Sequence, residues 1–316
     1  MKVAFIIPAF NEEGAIGQTI DSAFSSIPEA EVYVCDNRST DQTKNEAKLH
    51  GASVISEIRK GKGYAVRRLL RDVQADVYIM VDGDNTYELS GLKSAVEYLL
   101  RNDIDLMTGN RFSEENISYM RRGHRVGNML FTRFIKYFCG AETSDIFSGL
   151  RIMSSRFVDS FPIISSEFEV EAELSIFASK LRVPTKDFAT SVKSRKGTQS
   201  KLNTYKDGFK ILLFILRLLH REFPLKVYIP LASILFLISS YFVLGIYIEF
   251  INTGFVDRIP TLIVSCFGLL SSLGSIGIGL VLKELVNGKY ENRYLAYIGS
   301  RRSSSIEKMI LKKDKC

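Results

Sequence analysis

Two uninterrupted apolar stretches, Val227 to Phe250 and Thr261 to Leu282, constrain this chain more than anything else in it. As helices, each is long enough to cross about 30 Å of hydrocarbon. Glu249, near the end of the first, is expected at the membrane interface, and the short connection Ile251 to Pro260 makes the pair a hairpin. Arg217, Arg221 and Lys226 precede the first stretch; Lys283, Lys289, Arg293, Arg301 and Arg302 follow the second. Basic flanks on both sides place both ends in the cytoplasm. The alternative, two buried helices of a large soluble core, needs more enclosing chain than the sequence provides. The expected organisation is a globular domain over 1–202 and an interfacial amphipathic helix over 203–226. Spans at 227–250 and 261–282 and a basic cytoplasmic tail over 283–316 follow. The whole is then a multi-pass protein of the cell inner (cytoplasmic) membrane.

The first part of the chain alternates strand and helix signals. Val3–Ile7 reads as a buried strand, with no secretory signal expected before it. Asn11 is a candidate cap for a helix running to about Ser26. Further strands are expected at Glu31–Cys35, Ala52–Ile58, Asp76–Val81 and Asp105–Gly109. Helices are expected from about Ala65 and over Glu88–Leu100. That alternation argues for a mostly parallel sheet with helices on both faces. Cys35, Cys139, Cys266 and Cys316 form no metal-ligand or disulfide pattern, which suits a reducing compartment.

Chemistry concentrates after the strand Asp76–Val81, in Asp82-Gly83-Asp84-Asn85-Thr86. Two carboxylates at i and i+2 beyond a strand end can converge on one divalent cation bridging phosphate oxygens, with Gly83 allowing a tight turn. A plain polar turn uses the same residue types. Asp36 follows another strand and could meet a base or ribose edge. Arg59-Lys60-Gly61-Lys62-Gly63 suits phosphate contact without being a Walker motif. Tyr119 to Arg125, with Arg121, Arg122 and His124, is strongly basic, and Val192 to Lys201 is a second basic loop. In that loop Lys193, Arg195, Lys196 and Lys201 could surround a phosphate, with Ser200 donating. Asp145 and Arg151 could meet across a turn. Glu167, Glu169, Glu171 and Glu173 fall in an expected amphipathic helix, from which one acid could reach the site. The net charge of +7 suits anionic lipid or phosphorylated partners. Basic groups divided among short loops, with no zinc pattern or stacking platform, argue against nucleic acid.

Pro8-Ala9-Phe10-Asn11-Glu12, Asp36, Asp82-Gly83-Asp84, Asp145 to Arg151 and Arg195 to Lys201 together resemble one family. It is the family 2, GT-A-type glycosyltransferases that charge polyprenyl phosphates, including dolichyl-phosphate mannose synthases and bactoprenol glucosyltransferases. The membrane hairpin is similar to that of the bactoprenol enzymes. The resemblance implies that Pro8, Ala9, Glu12 and Asp36 line the nucleotide site. It also implies that Asp82 and Asp84 meet the diphosphate and its Mg²⁺ or Mn²⁺. The late basic loop then takes the acceptor. Two departures stand out: Asn37 where many relatives have a second acid, and Thr86 where such synthases often carry Gln.

The implied reaction is inverting transfer of a hexose or N-acetylhexosamine, with uridine the preferred base, to polyprenyl phosphate. Arg111, Arg151 and the basic loop are candidates to hold the acceptor phosphate. An ionised phosphate needs no general base. A rival enzyme extending a lipid-linked saccharide at a hydroxyl would need one, and Glu167, Glu169 or Glu171 could serve. A non-catalytic nucleotide-sugar sensor is the other alternative. The sequence leaves room for a homo-oligomer.

Overall fold

The computed structural model describes residues 1–111, 132–133, 135–138, 140, 143–162, 169–193 and 216–313, with side chains described to residue 299. The chain divides into two compact units, one of residues 1–200 with 293–316, the other of residues 201–292.

The first unit is built on a seven-stranded sheet of order β3-β2-β1-β4-β6-β5-β7. Its strands are β1 (Val3–Ala9), β2 (Glu31–Asp36), β3 (Ser53–Ser56), β4 (Val77–Met80), β5 (Leu106–Asn110), β6 (Arg151–Ser154) and β7 (Thr185–Ala189). The block β3-β2-β1-β4 is parallel throughout, as is β5 with β7. β6 runs antiparallel between β4 and β5. The expected mostly parallel, GT-A-like sheet is therefore present, with a reversed strand that periodicity did not reveal. Every residue of β1 is buried, as a strand covered on both faces requires.

Helices supply that cover. Val3, Phe5 and Ile7 of β1 share one core with Ile16 and Ile20 of α1 (Ile16–Ser26) and with Leu92, Val96 and Leu99 of α4 (Leu92–Arg101). α3 (Lys62–Asp72) packs on β1 and β2 outside that core. α2 (Thr43–Leu49) lies against α1, and its Glu46 accepts from Gly14 N at 2.7 Å and Gly17 N at 3.1 Å. A carboxylate on a neighbouring helix thus satisfies donors at the start of α1. Asn11 is not the cap expected there. It sits at φ 55°, four residues before the helix cap Ala15, and its Oδ1 accepts from Thr40 N at 2.8 Å. α5 (Ser155–Ser160) is capped by the Ser154 hydroxyl, which accepts from Phe157 N. α6 (Val170–Leu181) is buried on nearly all sides rather than amphipathic, because it packs inside the unit against α3.

The second unit holds α7 (Pro224–Thr253) and most of α8 (Ile259–Lys313). α7 has 30 residues, roughly 45 Å of helix. Both are long and apolar enough to cross a membrane, and their large side chains are largely exposed. Small residues bring them together: a Cβ on Gly268 would lie 2.0 Å from Ser239 Oγ, and one on Gly279 2.9 Å from Tyr228 Cβ. Glu249 pairs with Arg258 across the turn at 3.5 Å. No break occurs at residue 283, where a separate tail was expected; α8 runs on, and its residues from 293 belong to the first unit. There Tyr297 is buried, and its hydroxyl donates to Asp105 Oδ2 at 2.6 Å. The expected interfacial helix over 203–226 falls mostly outside the described residues.

Candidate active site

The acidic turn leaves the carboxyl end of β4 and is clamped by α1. Thr19 Oγ1 donates to Gly83 O at 3.2 Å and accepts from Asn85 N at 3.0 Å. Gly83 is needed for close approach rather than for a left-handed turn: a Cβ there would meet Ile16 Cδ1 at 3.1 Å and Ala9 Cβ at 3.6 Å. The left-handed residue is Asn85, at φ 52°. Asp84 Oδ1 accepts from Thr86 N at 3.1 Å and Thr86 Oγ1 at 2.6 Å. Thr86 therefore fixes the orientation of Asp84.

Asp82 is enclosed by charge. Lys62, the first residue of α3, places Nζ 2.5 Å from Asp82 Oδ1 and also pairs with Glu171 Oε1 on α6. Glu171 is 4% exposed, and its Oε2 has no hydrogen-bond partner among the described residues. Burial pushes the Glu171 carboxyl above its ordinary range, although Lys62 opposes this. Burial alone would lower the Lys62 ammonium, but Asp82 and Glu171 outweigh it and raise it. On the other side Gly149 comes so close that a Cβ would lie 2.2 Å from Asp82 Oδ2. Gly149 N in turn donates to the buried Tyr87 hydroxyl at 2.7 Å.

Asp145 and Arg151 do not pair. Asp145, fully buried, takes Arg111 as a two-pronged partner, with Nε to Oδ2 at 2.6 Å and Nη2 to Oδ1 at 2.9 Å. Burial opposes the Arg111 charge, but Asp145, Tyr87 and Asp82 raise its pKa. Arg151 is also fully buried. It donates to Ser148 O at 3.0 Å, Thr108 Oγ1 at 2.7 Å, Ile146 O at 2.6 Å and Glu171 O at 3.3 Å. Those bonds hold the 145–150 turn and α6 in register. Arg151 was expected to contact a phosphate, but its guanidinium has no exposed surface and its donors go to these four partners.

The residues expected on the nucleotide side lie at the ends of β1 and β2. Pro8 and Ala9 pair with Cys35 and Asp36. Glu12 N donates to Thr43 Oγ1 at 2.8 Å, and Glu12 Cγ lies beside Gly83. Asp36 accepts from Ser39 N at 3.2 Å. Asn37 gives its amide N–H to Arg59 O at 2.6 Å and accepts from Gly61 N at 2.7 Å. A carboxylate could not donate the first of these bonds, which explains Asn at this position. The cations of the 59–62 loop then diverge. Arg59 pairs with Glu57, Lys60 lies 4.8 Å from the Phe10 ring centroid, and Lys62 turns inward.

Arg121, Arg122, His124, Glu167, Arg195, Ser200 and Lys201 lie outside the described residues. Where the second basic loop begins, Glu88 N donates to Ser191 O at 3.0 Å and Lys193 N to Thr86 O at 2.8 Å. That pairing ties the segment after β7 to the acidic turn. Thr19, Tyr87 and Gly149 were not singled out from the sequence. Glu171 was one of several equivalent acids there, and only the packing of α6 selects it.

Among the described residues no three His, Cys, Asp or Glu side chains are grouped to hold a metal. Asp82 and Asp84 nevertheless fit a hard divalent cation of the Mg²⁺ type, which binds through one or two carboxylates plus substrate phosphates and water. An oxygen-only donor set on a loop fixed by Thr19 and Thr86 meets that requirement.

This sheet with its acidic turn defines a glycosyltransferase of GT-A-like fold. The glycosyl transferase family 2 model matches residues 4–161, and the chain belongs to that family. It is 44% identical over 124 residues to protein RfbJ of Shigella flexneri, covering 39% of this chain and 96% of that one. It is 31% identical over 149 residues to a dolichyl-phosphate hexose transferase of Haloferax volcanii, covering 47% and 64%. Its fold is similar to that of glucosyl-3-phosphoglycerate synthase from Mycobacterium tuberculosis in complex with Mn²⁺, uridine diphosphate and glucosyl-3-phosphoglycerate. There the TM-score is 0.55 and the identity 22%, over 69% of this chain and 78% of that one.

Proposed function

We propose that this enzyme transfers a hexose or N-acetylhexosamine from a uridine-linked nucleotide-sugar to a polyprenyl phosphate such as undecaprenyl phosphate. Transfer takes place at the cytoplasmic membrane face, with Mg²⁺ or Mn²⁺ and with inversion at the anomeric carbon. The observation that carries the acceptor class is the pair of exposed apolar helices of membrane-crossing length in a chain bearing the acidic turn. The dolichyl-phosphate hexose transferase among the relatives supports the same class, and the Mn²⁺ and uridine diphosphate of the structure with similar fold support the donor and metal.

The bound cation would supply charge neutralisation at the departing diphosphate. Asp82 and Asp84 would hold it, with Gly83 letting their turn pack closely against Ile16 and Ala9. Pro8, Ala9, Glu12 and Asp36 line the nucleotide side. Lys62 and Arg111 add positive charge around the diphosphate, while Asp145 and Arg151 keep Arg111 and the 145–150 turn in place. Arg121, Arg122, Arg195, Ser200 and Lys201 bind the acceptor phosphate. That phosphate is already a nucleophile, so no general base is required. Glu171, engaged by Lys62, is not positioned as a free base, which favours this reading over extension at a sugar hydroxyl.

The test is a donor screen with purified full chain, undecaprenyl phosphate and Mg²⁺ or Mn²⁺, the product identified by mass. A singly glycosylated lipid phosphate is expected. Turnover only with a sugar-primed lipid would move the enzyme to saccharide extension, and nucleotide-sugar binding without turnover on either lipid would leave a sensor.

A further inference from the structure

Lys62 stands where a cation bound to Asp82 would have to stand. Its Nζ is 2.5 Å from Asp82 Oδ1, an oxygen that a divalent ion held by Asp82 and Asp84 would coordinate. A divalent ion at this carboxylate and the ammonium would repel each other at such short range, so metal binding favours displacement of the ammonium. Moving a nearly buried ammonium to a place without a counter-charge is costly. The structure provides a place for it. Glu171 is 4% exposed, already holds Lys62 through Oε1, and leaves Oε2 buried without a partner. A buried carboxylate oxygen without a partner among the described residues is itself unfavourable, and Lys62, already on Oε1, is placed to satisfy it. The lysine stem has four rotatable carbons and begins at the first turn of α3, so a shift of its head needs no movement of the helix.

We infer that Lys62 is an internal stand-in for the metal. It neutralises Asp82 in the ligand-free enzyme, and when cation and donor diphosphate arrive it passes wholly to Glu171, whose empty oxygen receives it. Glu171 is the positioning residue of this exchange. It keeps the ammonium inside the site, near the incoming diphosphate, instead of losing it to solvent. No bond is made or broken; one ion pair replaces another. The inference rests on the proposed donor and metal reading and goes beyond it by assigning Glu171.

The test uses the full chain in detergent and reads binding, not turnover. Mn²⁺ alone is titrated, with free Mn²⁺ followed by electron paramagnetic resonance. Glu171→Gln removes the carboxylate that receives Lys62, so Mn²⁺ should bind about threefold to tenfold more weakly than to wild type. The double variant Lys62→Met with Glu171→Gln removes the competitor and avoids an unpaired buried carboxylate at 171; Mn²⁺ should bind about tenfold more tightly. A purely structural role would leave Mn²⁺ binding in the double variant near wild type or weaker than it. Equal affinity in all three proteins, or weakening in both variants, overturns the inference. Uridine diphosphate binding that requires Mn²⁺ is measured in parallel on wild type. Its absence overturns the donor and metal reading together with this one, whereas its presence with unshifted Mn²⁺ affinities overturns this one alone.

Discussion

Gly149 lies against Asp82 so closely that a single added methyl would sit 2.2 Å from Oδ2. The contact joins the turn before β6 to the turn after β4, and these two strands are antiparallel neighbours. Gly149→Ala should therefore push the Asp82 carboxylate out of place. Displacement of a reacting group by about 1 Å costs on the order of 100-fold in rate. Overpacking costs about 1–3 kcal/mol of stability. Turnover and thermal melting of the same preparation check both; unchanged turnover would show that Asp82 can move without consequence.

Asn37 makes a related argument for the nucleotide side. Asn37→Asp preserves shape but loses the donor that holds Arg59 O. A lost buried hydrogen bond costs about 1–3 kcal/mol, so the donor KM should rise by about tenfold with a smaller change in kcat. Steady-state kinetics with the donor varied checks this. A fall in kcat at constant KM would place the 59–61 turn with the chemistry instead.

The acidic turn depends on one hydroxyl of α1. Thr19→Val removes the group that bonds both Gly83 O and Asn85 N, leaving two backbone groups to find other partners. About 1–3 kcal/mol of stability should be lost, and the Mn²⁺ concentration for half-maximal activity should rise several-fold. Melting curves and a Mn²⁺ dependence of turnover report the two effects separately.

Arg151 separates a structural from a ligand-binding role. Its guanidinium is fully buried and bonded to three backbone carbonyls and Thr108. Arg151→Met should cost about 3–5 kcal/mol and lower Tm sharply, because the carbonyls lose their donors. A phosphate contact would behave oppositely, with Tm preserved and acceptor KM raised.

Of the parallel block, β1, β2 and β4 were legible because they are mainly apolar runs separated by helical periods. β6 was not. Arg151 begins it, and a charged residue at a strand start reads as loop until Thr108 and the carbonyls of Ser148 and Ile146 are seen around it. β7 begins Thr185-Lys186-Asp187, polar at each position because it is the last strand of the sheet order, beside β5. The carboxylates of the site were legible, being adjacent to a strand end in the sequence. Their partners were not: Lys62 and Glu171 are 109 residues apart, and only the packing of α6 against α3 brings them together. Asp145 was paired with Arg151 on sequence proximity, whereas the sheet delivers Arg111 from the end of β5.

The central claim is that the acidic turn beyond β4 drives transfer to a lipid phosphate. It is tested most directly by assaying Asp84→Ala beside wild type in lipid nanodiscs, with donor, undecaprenyl phosphate and saturating Mn²⁺. Wild type should form glycosylated lipid phosphate, and Asp84→Ala should form none above background while melting within a few degrees of wild type. Near-normal product from Asp84→Ala under those conditions would contradict the account.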